Sequence, residues 1–149
     1  MIKKIMVALD GSAQSEKALQ VAVQETKLRG GELHAVYVVQ HIITHQMMFD
    51  SGTKTPQIAG FDLANEILVK EAERVLTSAE ETARDSEVNF IAHRLFGDPR
   101  DEIISFAEEK GIDLIILGTK GKSNLERMVL GSVSSAVVKN SGKTTLLVR

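Results

Sequence analysis

Apolar positions along this chain fall into short runs separated by longer stretches with helical spacing, and the two kinds of segment alternate. Ile5 to Leu9 is a short apolar run that predicts a first strand, closed by the turn signal Asp10-Gly11-Ser12. Ala18, Leu19, Ala22 and Val23 then line one face of a helix from about Ser15 to Leu28, with Ser12 or Ser15 as its N-cap and Gly30-Gly31 as its stop. Leu33 to Val39, rich in β-branched and aromatic residues, predicts strand two. Residues 41–61 show no period, contain Gly52, Pro56 and Gly60, and are expected to form a long functional loop. Leu63, Ile67, Ala72, Val75, Leu76, Ala79 and Ala83 form the stripe of the longest helix, Asp62 to about Ser86. Val88 to Leu95 alternates and predicts strand three. Gly97-Asp98-Pro99 is a helix entry, with Asp98 as cap, Pro99 at the first position and Asp101 and Glu102 in the first turn. That helix buries Ile103, Ile104, Phe106 and Ala107 and ends at Gly111. Leu114 to Leu117 predicts a fourth strand buried on both faces, Ser132 to Asn140 a helix, and Thr144 to Val148 the last strand.

Strands alternating with helices imply an α/β fold: an open, Rossmann-like, five-stranded parallel sheet with right-handed crossovers and helices on both faces. Ligands in such sheets bind beyond the carboxyl ends of the strands, where the strand order reverses. Asp10 and Gly118 both fall at such ends. The length of 149 residues predicts one domain spanning 1–149, long enough to bury about 68–70% of its unfolded surface. Eighteen basic and twenty acidic residues give a formal net charge of −2, which is no footprint for nucleic acid. The absence of cysteine excludes disulfides, thiol catalysis and thiolate metal sites. No apolar run approaches the 18 or more residues a membrane helix needs, and Met1-Ile2-Lys3-Lys4-Ile5 leads straight into a strand, so the cytoplasm is the expected location.

The chemistry concentrates between Leu114 and Ser135. After the apolar run the chain breaks at Gly118 and Gly121, and nine residues later Gly131 precedes Ser132 and Ser134 at a helix start. Glycines admit close backbone approach, and a helix N-terminus offers free N–H groups and partial positive charge, so this order favours an anion such as phosphate. The Ser132 and Ser134 hydroxyls add donors, and Lys120, Lys122 and Arg127 add positive charge. Two familiar phosphate loops fail. Gly121-Lys122-Ser123 and Gly142-Lys143-Thr144 have the P-loop ending, but Ile116 and Val137 stand where its first glycine belongs. The first turn, Asp10-Gly11-Ser12, is not a dinucleotide fingerprint.

What remains, G-x2-G-x9-G-S, resembles the nucleotide-binding motif of the universal stress protein family, in its ATP-binding branch. The similarity covers nearly the whole chain: Val7-Ala8-Leu9-Asp10-Gly11-Ser12 resembles the family's opening strand and acidic turn, Tyr37-Val38-Val39 the end of its second strand, and Gly97-Asp98-Pro99 through Ile103 its entry to the third helix. The resemblance implies the strand order 3-2-1-4-5, a homodimer through the last strand, and ATP as ligand with Mg²⁺. It implies a site holding Ala8, Asp10, Val38, Gly118, Lys120, Gly121, Gly131, Ser132, Val133 and Ser134. Within it Asp10 contacts the ribose, Val38 and its neighbours hold adenine by their backbone, and Gly118, Gly121, Gly131, Ser132, Val133 and Ser134 hold the phosphates. Asp10 also stands where Mg²⁺ would be held; its competing role is a turn aspartate bonding its own backbone. Thr144 to Val148 lacks the Cys-Pro-Val-Leu pattern frequent in the family's last strand.

Other constellations read more plainly. His41 and His45, four apart with Met47 and Met48 nearby, would share a helix face, but no third metal ligand accompanies them and a polar loop is the better reading. His34 and His93 lie in strands and are expected to pack. Ser134 and Ser135 have no sequence neighbour to activate them as nucleophiles. The expected function is therefore nucleotide-dependent regulation in stress response, with an unidentified regulated protein. The rival classes are an enzyme, a slow ATPase or phosphotransferase for which no general base is evident, and a nucleotide-free dimeric scaffold.

Overall fold

Lys4–Leu9 forms β1, and its side chains are buried on both faces from Ile5 to Val7 because it lies at the centre of the sheet. The computed structural model describes residues 1–40, 55–120 and 130–149, the first eight of the middle stretch through their backbone. The remaining elements are α1 (Ala13–Arg29), β2 (Glu32–Val39), α2 (Thr55–Asp85), β3 (Asn89–Phe96), α3 (Pro99–Glu109), β4 (Leu114–Gly118), α4 (Ser132–Asn140) and β5 (Thr144–Val148). The strands pair in parallel in the order β3-β2-β1-β4-β5, as expected. The order reverses between β1 and β4, where Ile5, Met6 and Val7 stand opposite Leu114, Ile115 and Ile116.

The two faces of the sheet have separate cores. Val7, Leu33 and Ile116 pack beneath α1 and α2 with Leu19 and Ala72. Met6, Val36 and Ile115 pack beneath α3 and α4 with Phe106 and Val137. The helices change face because right-handed crossovers run outward from β1 in opposite directions. Both edge strands are partly wet: Ile91 and Phe96 on β3 and Leu146 on β5 stay exposed.

Element ends follow local signals. Ser12 is the N-cap of α1, its hydroxyl accepting from Ser15 N–H at 3.1 Å, and Gly30 closes the helix in the left-handed region. Asp98 caps α3 by accepting from Arg100 N–H at 2.9 Å, with Pro99 in the first turn. One boundary departs from expectation. The apolar stripe places the start of α2 at Asp62, whereas the helix begins at Thr55. Pro56, read as a loop marker, sits in its first turn, where the missing N–H has no intrahelical partner to lose. The rest of the expected loop, residues 41–54 with His41, His45, Met47 and Met48, lies outside the described residues.

Candidate functional site

The carboxyl ends of β1 and β4 meet at the order reversal, and both chains turn sharply there. After β1, Gly11 takes φ 82°, a conformation other residues rarely adopt. This turn lets Asp10 Oδ1 accept from Ser12 N–H at 2.9 Å, while Asp10 N–H donates to Ser15 Oγ at 3.4 Å. The turn-aspartate role is thus real, and it leaves the half-buried carboxylate facing the space beyond the sheet.

After β4 the turn is held by packing and hydrogen bonds. A Cβ on Gly118 would lie 3.1 Å from Gln14 Cβ, so this glycine lets the start of α1 close against the strand end. Gln14 Oε1 accepts from Thr119 Oγ1 at 3.1 Å and from Lys120 N–H at 2.9 Å. Thr119 N–H donates to Val148 O at 2.9 Å, and Thr119 O accepts from Gly131 N–H at 2.7 Å. Ser134 is buried, and its hydroxyl lies 2.8 Å from Gly118 O and 3.1 Å from Thr119 O. Its one proton is therefore committed to the turn after β4. This corrects the expectation that the Ser134 hydroxyl is free to donate to a phosphate.

Helix α4 begins at Ser132 with Gly131 as an N-cap that offers no side chain. Ser135 N–H makes the first bond back, to Gly131 O at 2.9 Å. Among the described residues the N–H groups of Ser132, Val133 and Ser134 have no acceptor. Three donors with no acceptor among the described residues and the positive end of the helix dipole thus point into one place. Gly131 has φ −61° and ψ 160°, extended backbone open to any residue, so its own conformation does not require glycine.

These segments enclose a cleft of about 550 Å³. Ala8, Asp10, Val38, Gly118, Lys120, Gly131, Ser132, Val133 and Ser134 all line it. Gly121, Lys122 and Arg127 lie outside the described residues. The cleft also has walls that sequence reasoning assigned to other tasks. Ile103, a core position by its spacing, and Pro99, a helix start, both line it, as do Leu68 and Gln40. Tyr37 lines it too, and burial first, then the Glu71 and Asp10 carboxylates, raise its pKa above the ordinary phenol value and keep it protonated. Gln14 and Thr119 were missed altogether, because their bond joins positions 105 apart. Among the described residues no three His, Asp or Glu side chains cluster as metal ligands.

His34 and His93 lie elsewhere, and they pair with each other. His34 Nδ1 is 2.9 Å from His93 Nε2, His34 Nε2 is 2.9 Å from Glu32 Oε1, and Phe106 stands edge-on to both rings. They are packing residues of the β2–β3 edge, as expected.

Comparison with known proteins agrees with this architecture. The family model for the universal stress protein family matches residues 1–149. Universal stress protein YxiE of Bacillus subtilis is 35% identical over 149 residues, covering all of both chains. Universal stress protein UspA from Lactobacillus plantarum superposes with a TM-score of 0.84 at 24% identity, over 99% of this chain and 97% of that one. The universal stress protein from Archaeoglobus fulgidus, solved in complex with dAMP, shares the fold with a TM-score of 0.69 at 21% identity, over 100% of this chain and 98% of that one. With its whole length matched, this chain belongs to the universal stress protein family.

Proposed function

We propose that this chain is a nucleotide-dependent regulator in stress response, a cytoplasmic homodimer that binds ATP with Mg²⁺ in the cleft between β1, β2, β4 and α4. One observation carries the reading: the cleft gathers a carboxylate at one strand end, open backbone at another and the free N–H groups of a helix start. A nucleotide presents those needs in the same order. Asp10 suits a ribose hydroxyl. The backbone at Val38 suits the adenine edge. Gly118, Lys120, Gly121, Gly131 and the N–H groups of Ser132, Val133 and Ser134 suit phosphates. Ala8 forms part of the floor. The dAMP bound by the Archaeoglobus fulgidus protein supports an adenine ligand for this fold.

The donor set fits Mg²⁺ carried in with the phosphates. That ion keeps several waters and is usually held by one or two carboxylates plus phosphate oxygens rather than by an all-protein cage. Among the described residues Asp10 is the carboxylate lining the cleft. When bound, Mg²⁺ would offset phosphate charge, while this chain's own residues orient the nucleotide.

Titration calorimetry with ATP tests the reading on wild type and Gly131→Val. Because the backbone there accepts any residue, the variant should fold, and its branched side chain should stand where phosphates approach. Affinity is expected to fall at least tenfold, about 1.4 kcal/mol. Equal affinity in a folded variant would remove the phosphate role from this helix start. Mass spectrometry of the purified protein gives an independent check, an adenine nucleotide being the expected co-purifying species.

A further inference from the structure

We infer that Gln14 is a positioning residue for phosphate recognition, acting through the turn after β4. The inference rests on the nucleotide reading above and goes beyond it, since Gln14 does not line the cleft. Its Oε1 is the acceptor in both of its bonds, because Lys120 N–H can only donate. The amide orientation is therefore fixed by chemistry.

Three consequences follow from that one oxygen. It occupies the Lys120 N–H, so Lys120 meets a ligand through its ammonium group. It fixes the Thr119 hydroxyl, and Thr119 O in turn receives Gly131 N–H at 2.7 Å and faces Ser134 Oγ at 3.1 Å. The residue before α4 and the third residue of α4 are thereby tied to the turn that Gln14 holds. Gly118 completes the arrangement by letting Gln14 Cβ approach to 3.1 Å of where its own Cβ would be. Gln14 thus links the start of α1 to the place where α4 presents its free N–H groups. Both of these Gln14 bonds go to the turn after β4, on the phosphate side, whereas Val38 and Asp10 stand on the adenine and ribose side.

That asymmetry supplies a readout a merely structural role would not move. Gln14→Met keeps length and removes the acceptor, and Thr119→Val removes the matching hydroxyl with little change of shape. Each variant is titrated with ATP and with adenosine, which lacks phosphates. The expected result is about a tenfold loss for ATP and less than a twofold change for adenosine in both variants, with the far-ultraviolet circular dichroism of wild type. Unchanged ATP affinity in the variants, with wild type binding ATP, would overturn the role of Gln14 alone. Equal losses for ATP and adenosine would also overturn it, by showing general loosening of the site. Wild type that binds neither ligand would overturn the nucleotide reading itself, and this inference with it.

Discussion

Asp10 shows how one side chain serves fold and site together. Its Oδ1 holds the turn by accepting Ser12 N–H at 2.9 Å, and its carboxylate lines the cleft. The two roles separate in Asp10→Asn, which keeps an oxygen acceptor for the turn and loses the charge. Its thermal stability should stay near that of wild type, while ATP affinity falls by about 1.5 kcal/mol, the lower end of what a hydrogen bond to a charged group contributes. Melting curves and calorimetry check both halves, and wild-type affinity would remove Asp10 from ligand recognition. At this scale the sequence was informative wherever chemistry sits beside a strand end, as at Asp10 and Gly118. It was silent on Gln14 and misleading on the Ser134 hydroxyl, because their partners lie 105 and 16 positions away and leave no local trace.

At the scale of elements, strands and caps were legible because apolar runs, glycine stops and the Asp98-Pro99 entry are local signals. The first turns of α2 were not, because Pro56 and Gly60 break the stripe without breaking the helix. The pairing of β3 with β2 adds a property that periodicity could not show. His93 faces His34 from β2 under Phe106 from α3, with Glu32 beyond His34. Burial first, then His34 and Lys110, lowers the His93 pKa below its ordinary 6.5. A depressed histidine pKa means the unfolded chain takes up its proton first as pH falls. Stability is then full above about pH 6.5 and declines below it. Urea midpoints should therefore drop between pH 7.5 and pH 5.5, and His93→Gln should flatten that drop. An equal decline in wild type and variant would place the pH dependence elsewhere.

The whole molecule was the most predictable level, since alternating strands and helices imply a parallel sheet with right-handed crossovers and the family resemblance supplied its strand order. Among the described residues that order makes β5 an edge with one row of unpaired backbone groups. Which row is free follows from one bond. Val148 O accepts from Thr119 N–H, so Val148 turns its backbone toward β4. In a parallel ladder alternate residues face the same neighbour, so Leu146 and Thr144 do likewise, while Thr145 and Leu147 turn N–H and C=O outward. The exposed Leu146 side chain adds an apolar contribution at the same edge. Pairing with a second copy about a two-fold axis would satisfy both. Leu146→Pro would damage the β4 ladder instead of the free edge, so Thr145→Pro is the sharper test, removing one outward N–H. Light scattering at micromolar concentration should give a dimer mass for wild type and a monomer mass for Thr145→Pro, with circular dichroism unchanged. A wild-type monomer at that concentration would refute the β5 dimer, and a Thr145→Pro dimer with intact fold would move the interface to another face.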